Sequence, residues 1–242
     1  MIFQYLIMTF LKLPKVGLYN CVKTAPFHPN IHNLGNTGIG GYLHANLAEF
    51  STTLIDQLAY NGEPIRRRIA REIAGIHQNK NVLELGCGVG TLTRELIETD
   101  AFPQITAIDT SREMITLAAK RNPLAKLKVQ NGVDAYKYNT DLVITSFMMH
   151  EMPSSAHIEV IDSSLKAIEK NNGELWIVDI DLSYRPSYLM RLGEPYIMNY
   201  LSNFSNTIDS FQSRAEISTF TILEGHVRAW VLTHNSTKNE AI

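Results

Sequence analysis

Glycine spacing in one short stretch constrains this chain more than any other feature of its sequence. Residues 82–90 read Val-Leu-Glu-Leu-Gly-Cys-Gly-Val-Gly, which places Gly86, Gly88 and Gly90 at every second position. The apolar run before the glycines is typical of a buried strand, and residues 91–98 carry leucine and isoleucine at helical spacing. Glycine is favoured where φ is positive or where a ligand must reach the main chain. The pattern therefore predicts a strand, a tight ligand-binding loop and a helix.

A dinucleotide-binding loop has the same strand–loop–helix context and is the first alternative. Its fingerprint, G-x-G-x-x-G, needs the third glycine for close packing of the helix on the strand. Counting from Gly86, that glycine would stand where the chain has Thr91. The order here is G-x-G-x-G, with Glu84 two residues before the first glycine. This departure argues against an NAD-dependent oxidoreductase.

The next predicted strand, residues 104–109, ends in a carboxylate, Asp109. It follows the last glycine by about 20 residues, where nucleotide-binding α/β folds place the acid that holds the ribose hydroxyls. A carboxylate can accept hydrogen bonds from both hydroxyls of a vicinal diol. The alternative is that Asp109 only caps the following helix, although Thr110 or Ser111 could do that. We favour the ribose role.

A later β-branched run, residues 141–146, is followed by Phe-Met-Met-His-Glu-Met-Pro at 147–153. Ligands of open α/β sheets bind beyond the carboxyl ends of the strands. Residues 146–151 are therefore expected at the reaction centre. His150 is the near-neutral base of that loop.

The E-x-G-C-G-x-G loop, Asp109 and the Ser-Phe-Met-Met-His-Glu-Met-Pro sequence resemble, in this order, motifs of class I S-adenosylmethionine-dependent methyltransferases. The last motif resembles the small-molecule branch that includes the ubiquinone and menaquinone biosynthesis methyltransferases. The resemblance covers residues 80–233. It implies an α/β fold, with a doubly wound, Rossmann-like, seven-stranded sheet whose last strand is antiparallel, and an N-terminal helical lid. It also implies methyl transfer to a small-molecule acceptor by in-line displacement.

The resemblance further implies which residues meet S-adenosylmethionine, or its product S-adenosylhomocysteine. The expected cofactor-binding set is Glu84, Gly86, Cys87, Gly88, Gly90, Asp109, Thr110, Met114, Val133, Asp134, Ser146 and Phe147. Met114 would lie near the adenine edge, which the Val133 N–H and the Asp134 carboxylate would hold. Turn capping competes as an explanation for Asp134. His150 is the expected catalytic residue, with positioning or packing as an equal alternative. No metal is expected, because the methyl group of a sulfonium is already activated and mainly has to be held in line.

The chain is predicted to comprise an N-terminal segment with lid helices, residues 1–78, and a methyltransferase domain, residues 79–235. A loop is predicted over 14–41, followed by helices over 42–60 and 64–77. The glycines within 38–41 could suggest a phosphate loop, which we reject because no strand precedes them.

Two further regions leave alternatives open. Tyr42 and His44 either line the pocket from the lid or are ordinary helix-start residues, and we favour the second reading. Six aromatic residues crowd an insertion at 181–212: Tyr184, Tyr188, Tyr196, Tyr200, Phe204 and Phe211. The insertion could form the acceptor pocket or pack a lid helix.

The composition of the chain limits the kinds of partner that we expect it to bind. A formal net charge of −2 argues against a general nucleic-acid binder. Two cysteines, Cys21 and Cys87, fit a reducing compartment, and we expect a cytoplasmic protein. The apolar residues 1–13 lack a basic leader and are too short to span a bilayer, so docking on the body or contact with a partner, such as a homodimer, is preferred over a membrane role. A protein methyltransferase and a catalytically silent S-adenosylmethionine-binding protein remain alternatives.

Overall fold

A single seven-stranded sheet organises the molecule in this computed structural model, which describes residues 38–60 and 62–234. The strands are β1 (Asn81–Leu85), β2 (Gln104–Asp109), β3 (Lys126–Val129), β4 (Leu142–Ser146), β5 (Glu174–Ile180), β6 (Ala215–Leu223) and β7 (Val227–His234). Their order across the sheet is β3-β2-β1-β4-β5-β7-β6. Strands β1 to β5 pair in parallel, and β7 runs antiparallel to both β5 and β6. The predicted fold class is confirmed.

Helices cover both faces of the sheet, and three short 3-10 helices lie between its elements. The helices are α1 (Gly38–Ala59), α2 (Ile65–Ile76), α3 (Thr91–Glu98), α4 (Arg112–Arg121), α5 (Ser154–Ile168), α6 (Tyr188–Gly193) and α7 (Ile197–Asp209). The 3-10 helices are Gly132–Lys137, Met149–Glu151 and Glu169–Asn171. Helices α5 and α7 contribute to the core on one face, and α2 and α3 to the core on the other. Strands buried on both faces read as continuous apolar runs, as Leu175 to Val178 do in β5.

The C-terminal hairpin turns at the ligand-binding edge of the sheet. Because β6 and β5 are both antiparallel to β7, β6 runs in the same direction as the five parallel strands. The end of β6 therefore lies at the edge where the glycine loop follows β1. The turn between β6 and β7, residues 224–226, is available to the site, which strand patterning alone did not indicate.

Helix α1 corrects the predicted boundary of the N-terminal loop. It begins at Gly38, so residues 38–41 are helical and not loop. Glycine is a poor helix former, but Ala45 is buried against Val89 and Met114, and such packing overrides propensity. Two apolar residues of α1, Leu47 and Phe50, are exposed. The rest of the predicted loop and the apolar residues 1–13 lie outside the described part of the chain.

The aromatic insertion divides into core and surface. Tyr200 and Phe204 of α7, and Phe211 just after it, are buried in the core, so packing is the right explanation for these three. Tyr188 is exposed, and Tyr184 is half-buried at the carboxyl edge of the sheet. In the ranges that the structure describes, no helix has the length and apolar character needed to cross a membrane.

Candidate active site

The glycine loop after β1 takes backbone conformations that a side chain would disturb. Gly86, Gly88 and Gly90 all have positive φ, at 67°, 54° and 77°. A Cβ on Gly90 would lie 2.3 Å from Nδ2 of Asn122, and one on Gly86 would lie 2.5 Å from Sδ of Met148. A Cβ on Gly88 would meet nothing within 4 Å. Gly86 and Gly90 thus allow close packing, while the backbone at Gly88 faces open space in which a ligand can lie.

Asp109 joins this loop to the end of β2. Its Oδ2 accepts a hydrogen bond from the Gly88 N–H at 2.9 Å, and its Oδ1 accepts one from the Ser111 N–H at 2.8 Å. The cap of α4 is Ser111, whose Oγ accepts from the Met114 N–H at 3.2 Å. Capping therefore does not explain Asp109. Each carboxylate oxygen has more than one acceptor site, so a carboxylate can bond the main chain and a hydroxyl donor at the same time.

Glu84 is a buried carboxyl group beneath the same loop. Only 2% of the residue is exposed, and its Oε2 accepts a hydrogen bond from Thr93 Oγ1 at 2.6 Å. Burial raises the pKa of Glu84 to about 8, although the bond from Thr93 and the charge of Arg66 oppose the shift. A cationic ligand beside such a buried carboxyl group would stabilise its ionised form, which burial disfavours.

Arg66 supplies a cation at the same end of the site, and no sequence motif marks it. The residue lies in the first turn of α2 and is half-buried, with its guanidinium carbon 4.9 Å from the ring centroid of Phe147. Burial lowers the pKa of Arg66, while Asp56, Tyr60, Glu151 and Glu84 favour its charged form. Arg66 therefore lies between the carboxyl group under the glycine loop and the loop after β4.

The loop after β3 forms a 3-10 helix, and Asp134 is not the residue that caps it. Asn131 caps it, because its Oδ1 accepts from the Val133 N–H at 3.2 Å. Asp134 instead forms an ion pair with Lys137, with 2.7 Å between Oδ1 and Nζ. The capping explanation for Asp134 is wrong, and its contact with adenine stays a prediction.

His150, in the loop after β4, and Asp179, near the end of β5, form a buried pair. The His150 Nδ1 lies 2.6 Å from Asp179 Oδ1, and Asp179 Oδ2 accepts from the Met149 N–H at 2.8 Å. Burial alone would lower the pKa of His150, but the charge and hydrogen bond of Asp179 outweigh it and raise the pKa to about 9. Asp179 fixes the ring and stabilises the imidazolium, so packing alone does not describe His150.

His150 also belongs to a group that could hold a metal ion. Potential ligand atoms of His150, Glu151 and Glu194 all lie within 4.8 Å of one another. With Nδ1 bonded to Asp179, the remaining ring nitrogen of His150 is the one that could bind a cation. The same two carboxylates also favour the imidazolium of His150, so the group equally serves the pair with Asp179.

Several residues of the expected cofactor set are placed by packing. Cys87 is buried against Ala107 and Ile115, and burial raises the pKa of its thiol. Only its main chain is therefore suited to meet a ligand. Met114 is buried against Ala45 of α1.

Three other members of the set lie close to strand ends at the carboxyl edge. Ser146 ends β4, Thr110 follows β2, and both are half-buried. Phe147 has a φ of 53°, which is uncommon for a residue with a side chain.

Comparison with known proteins identifies the family. The model of a methyltransferase domain family matches residues 57–219, which is more than half of the chain. The chain belongs to this methyltransferase family. The family predicted from the sequence is thereby confirmed.

Individual relatives differ in what they act on. A ubiquinone biosynthesis O-methyltransferase of Hydrogenovibrio crunogenus is 23% identical over 161 residues, 64% of each chain. A ribosomal RNA large subunit methyltransferase G of Aeromonas salmonicida is 28% identical over 62% of this chain and 40% of its own length. The chain thus spans less than two thirds of these two relatives.

The fold also matches solved structures. A TehB-like SAM-dependent methyltransferase from Corynebacterium glutamicum superposes with a TM-score of 0.58 and 16% identity, over 80% of this chain and 99% of the other. At this identity the match supports the fold alone.

Proposed function

We propose that this protein transfers the methyl group of S-adenosylmethionine to a small-molecule acceptor. One observation carries the proposal: Asp109 accepts a hydrogen bond from the Gly88 N–H at the open face of the glycine loop, while the His150–Asp179 pair lies at the ends of β4 and β5. A nucleoside seat and a proton-handling group thus share one edge of the sheet. Family membership supports the reaction type.

The residues present fit the donor's chemistry. A ribose would bind Asp109, its adenine would lie beside Val133 and Asp134, and the main chain at Gly88 leaves room for its amino-acid end. That end carries an ammonium and a carboxylate. Glu84 offers a carboxyl group to the first and Arg66 a guanidinium to the second.

The protein itself forms no covalent bond in this reaction. A bond forms between the acceptor atom and the methyl carbon, the carbon–sulfur bond breaks, and sulfur keeps the electron pair. The protein has to hold the two reactants in line and exclude water. An acceptor hydroxyl must also lose its proton, and His150 would take it once its imidazole, held by Asp179, is neutral.

Binding and turnover test the proposal separately. Titration calorimetry should show S-adenosylhomocysteine binding and no NADH binding. Incubation with methyl-labelled S-adenosylmethionine and a metabolite extract should place label on a compound of low molecular mass. Label recovered only in protein would favour a protein acceptor, and binding without any transfer would favour a silent binder. Absence of S-adenosylhomocysteine binding would overturn the proposal.

A further inference from the structure

Four aromatic rings from separate segments meet beside the loop after β4. They are Tyr60 between α1 and α2, Phe147, Tyr184 after β5, and His226 in the β6–β7 turn. Tyr60 stacks on Phe147 with ring centroids 6.4 Å apart and 28° between the planes. His226 lies 6.0 Å from Tyr60 and 5.7 Å from Tyr184. We call these four residues the edge rings.

The edge rings differ from the aromatic core of the protein. Tyr200, Phe204 and Trp230 also pack together, but they are at most 4% exposed. All four edge rings are half-buried and stand at the carboxyl edge of the sheet. Half-buried aromatic faces at a ligand-binding edge offer area for stacking that a core cluster does not.

Local structure holds Phe147 in an unfavourable backbone conformation. Its φ of 53° is unfavourable for a residue with a Cβ. The Phe147 N–H donates to the Val178 carbonyl at 2.9 Å, which fixes the residue to β5. Strain of this kind is concentrated at functional sites. Here it places an aromatic ring under Arg66 and Tyr60.

The hairpin turn that carries His226 is tied to the end of β5. Asp181 donates its N–H to the His226 carbonyl at 2.9 Å, and its Oδ2 accepts from Arg228 Nε at 2.7 Å. His226 Nδ1 lies 2.8 Å from the Glu224 carbonyl, which orients the ring. The His226 ring is therefore a fixed wall of the site.

We propose that Phe147, Tyr184 and His226, covered by Tyr60, seat a planar ring of the acceptor, and that the methylated group is a hydroxyl on that ring. This inference rests on the proposed methyl transfer. The edge rings are close to the proton-handling pair, because the Phe147 N–H bonds the carbonyl of Val178, the residue before Asp179, and the His226 carbonyl bonds the Asp181 N–H two residues after it. A ring seated there would present a hydroxyl towards His150.

The charges beside the edge rings favour such an acceptor over an aliphatic polycarboxylate. In the proposed function Arg66 holds the donor's carboxylate, and Arg228 is paired with Asp181. A polycarboxylate would need several further cations, whereas a phenol-type ring needs apolar faces and one base. In the transfer, the oxygen–methyl bond forms, the sulfur–methyl bond breaks, and the hydroxyl proton passes to His150.

The full chain should be assayed with labelled S-adenosylmethionine against mono- and dihydroxybenzenes, against citrate and malate, and against a metabolite extract. We expect label on hydroxybenzenes and none on the aliphatic acids. Tyr184→Leu and His226→Leu should each raise KM for the labelled ring compound about tenfold while kcat and S-adenosylhomocysteine affinity stay within about twofold, as loss of one aromatic contact predicts. Tyr188→Leu, which removes an exposed ring of the same insertion, is the matched control and should change neither.

The outcomes separate the two proposals. Label on citrate, malate or a non-aromatic extract component, with none on rings, would overturn the ring seat and leave methyl transfer standing. Unchanged KM in both Leu variants would also overturn the seat. Failure to bind S-adenosylhomocysteine, or binding with no transfer to any acceptor, would overturn the proposed function and the inference with it.

Discussion

At the residue scale, Asp109 has two tasks that a substitution can separate. It fixes the Gly88 and Ser111 main chain, and in the proposed function it also binds the ribose diol. Asp109→Asn keeps the size of the side chain but removes the charge that strengthens all of these bonds. Because hydrogen bonds to charged groups are worth about 1.5–3 kcal/mol each, we expect S-adenosylhomocysteine affinity to fall about tenfold to a hundredfold by calorimetry.

Ser111→Ala is the control for Asp109. It removes the cap of α4 and should lower stability by about 1 kcal/mol while leaving donor affinity nearly unchanged. Equal loss of affinity in both variants would mean that Asp109 acts only by ordering the loop.

Glu84 should make donor affinity depend on pH. Burial raises its pKa to about 8, so the carboxyl group is mostly neutral below that pH in the free protein. Pairing with the donor's ammonium requires the carboxylate, so affinity should rise with pH and level off above about 8. Glu84→Gln should bind more weakly and lose this dependence. A wild-type affinity that is flat between pH 6 and 9 would argue against a Glu84–ammonium pair.

The same shift has a consequence for stability with a definite sign. The pKa of folded Glu84 is raised from its ordinary 4.5 to about 8. Its contribution to stability is therefore fully present below about 4.5 and is lost as pH rises through about 8. Urea unfolding across that range should show that any excess in the free energy of unfolding of wild type over Glu84→Gln shrinks or reverses towards alkaline pH.

His150 should set the pH dependence of turnover. An imidazolium cannot take a proton, and Asp179 raises the pKa of His150 to about 9 against the effect of burial. At saturating donor, kcat should rise with pH and level off above about 9. Asp179→Asn should move the break down by about 1–3 pH units, because an opposite charge within hydrogen-bond distance shifts a pKa by that amount. A break that stays in place in Asp179→Asn would remove this pair from proton transfer.

Chelation distinguishes this role of His150 from metal binding. We expect EDTA to leave turnover unchanged, since the His150, Glu151 and Glu194 group also serves to stabilise the imidazolium. Activity lost to EDTA and restored by a divalent cation would show that these residues hold a metal.

At the element scale, most strands and helices could be predicted from the sequence, because the residue patterns that indicate them are local. The predicted bounds of α3 and β2 agree with the structure, and those of β4 differ by one residue at one end. Helix α1 was placed four residues late, since its start depends on the contact of Ala45 with Val89 and Met114. Glycine and alanine give little periodic signal there, and only the folded chain brings those residues together.

The site was predictable where its residues lie in one loop and not where they meet across the fold. The glycine loop, Asp109 and His150 follow strands and were found from position alone. Asp179 is 29 residues from His150 in sequence, and Arg66 reaches Phe147 from a helix ahead of the sheet. Neither residue stands in a motif, and a buried strand acid or a helix arginine more often has another explanation. Long-range contacts of this kind need the topology before they can be recognised.

The turn into β5 should be intolerant of a side chain. A Cβ on Gly173 would lie 2.1 Å from the Asp141 carbonyl oxygen, which is main chain and cannot move cheaply. We expect Gly173→Ala to destabilise the protein by about 1–3 kcal/mol, as overpacking does. Gly75→Ala is a matched control, because a Cβ there meets nothing within 4 Å and alanine is the better helix former. Thermal unfolding should show a lower Tm for the first variant and an equal or higher Tm for the second.

At the scale of the whole molecule, the net charge argues against one of the two acceptor classes for which the relatives are named. One relative is named for ubiquinone biosynthesis and another for ribosomal RNA. Proteins that hold a phosphate backbone use many lysines and arginines, and their affinity falls steeply as salt rises. This chain has 22 lysines and arginines against 24 aspartates and glutamates, a balance that gives no general attraction to RNA.

Salt and RNA competition should therefore have little effect on turnover. We expect the methylation rate of a small acceptor to change by no more than about twofold between about 50 and 200 mM salt, a range over which a protein with many phosphate contacts loses about a thousandfold in affinity. Added ribosomal RNA should neither take up label nor inhibit, because a chain of net charge −2 offers its phosphates no excess of cations. Label in RNA at low salt that disappears at high salt would instead assign the acceptor to the nucleic-acid class, and the edge rings would then have to stack on a base.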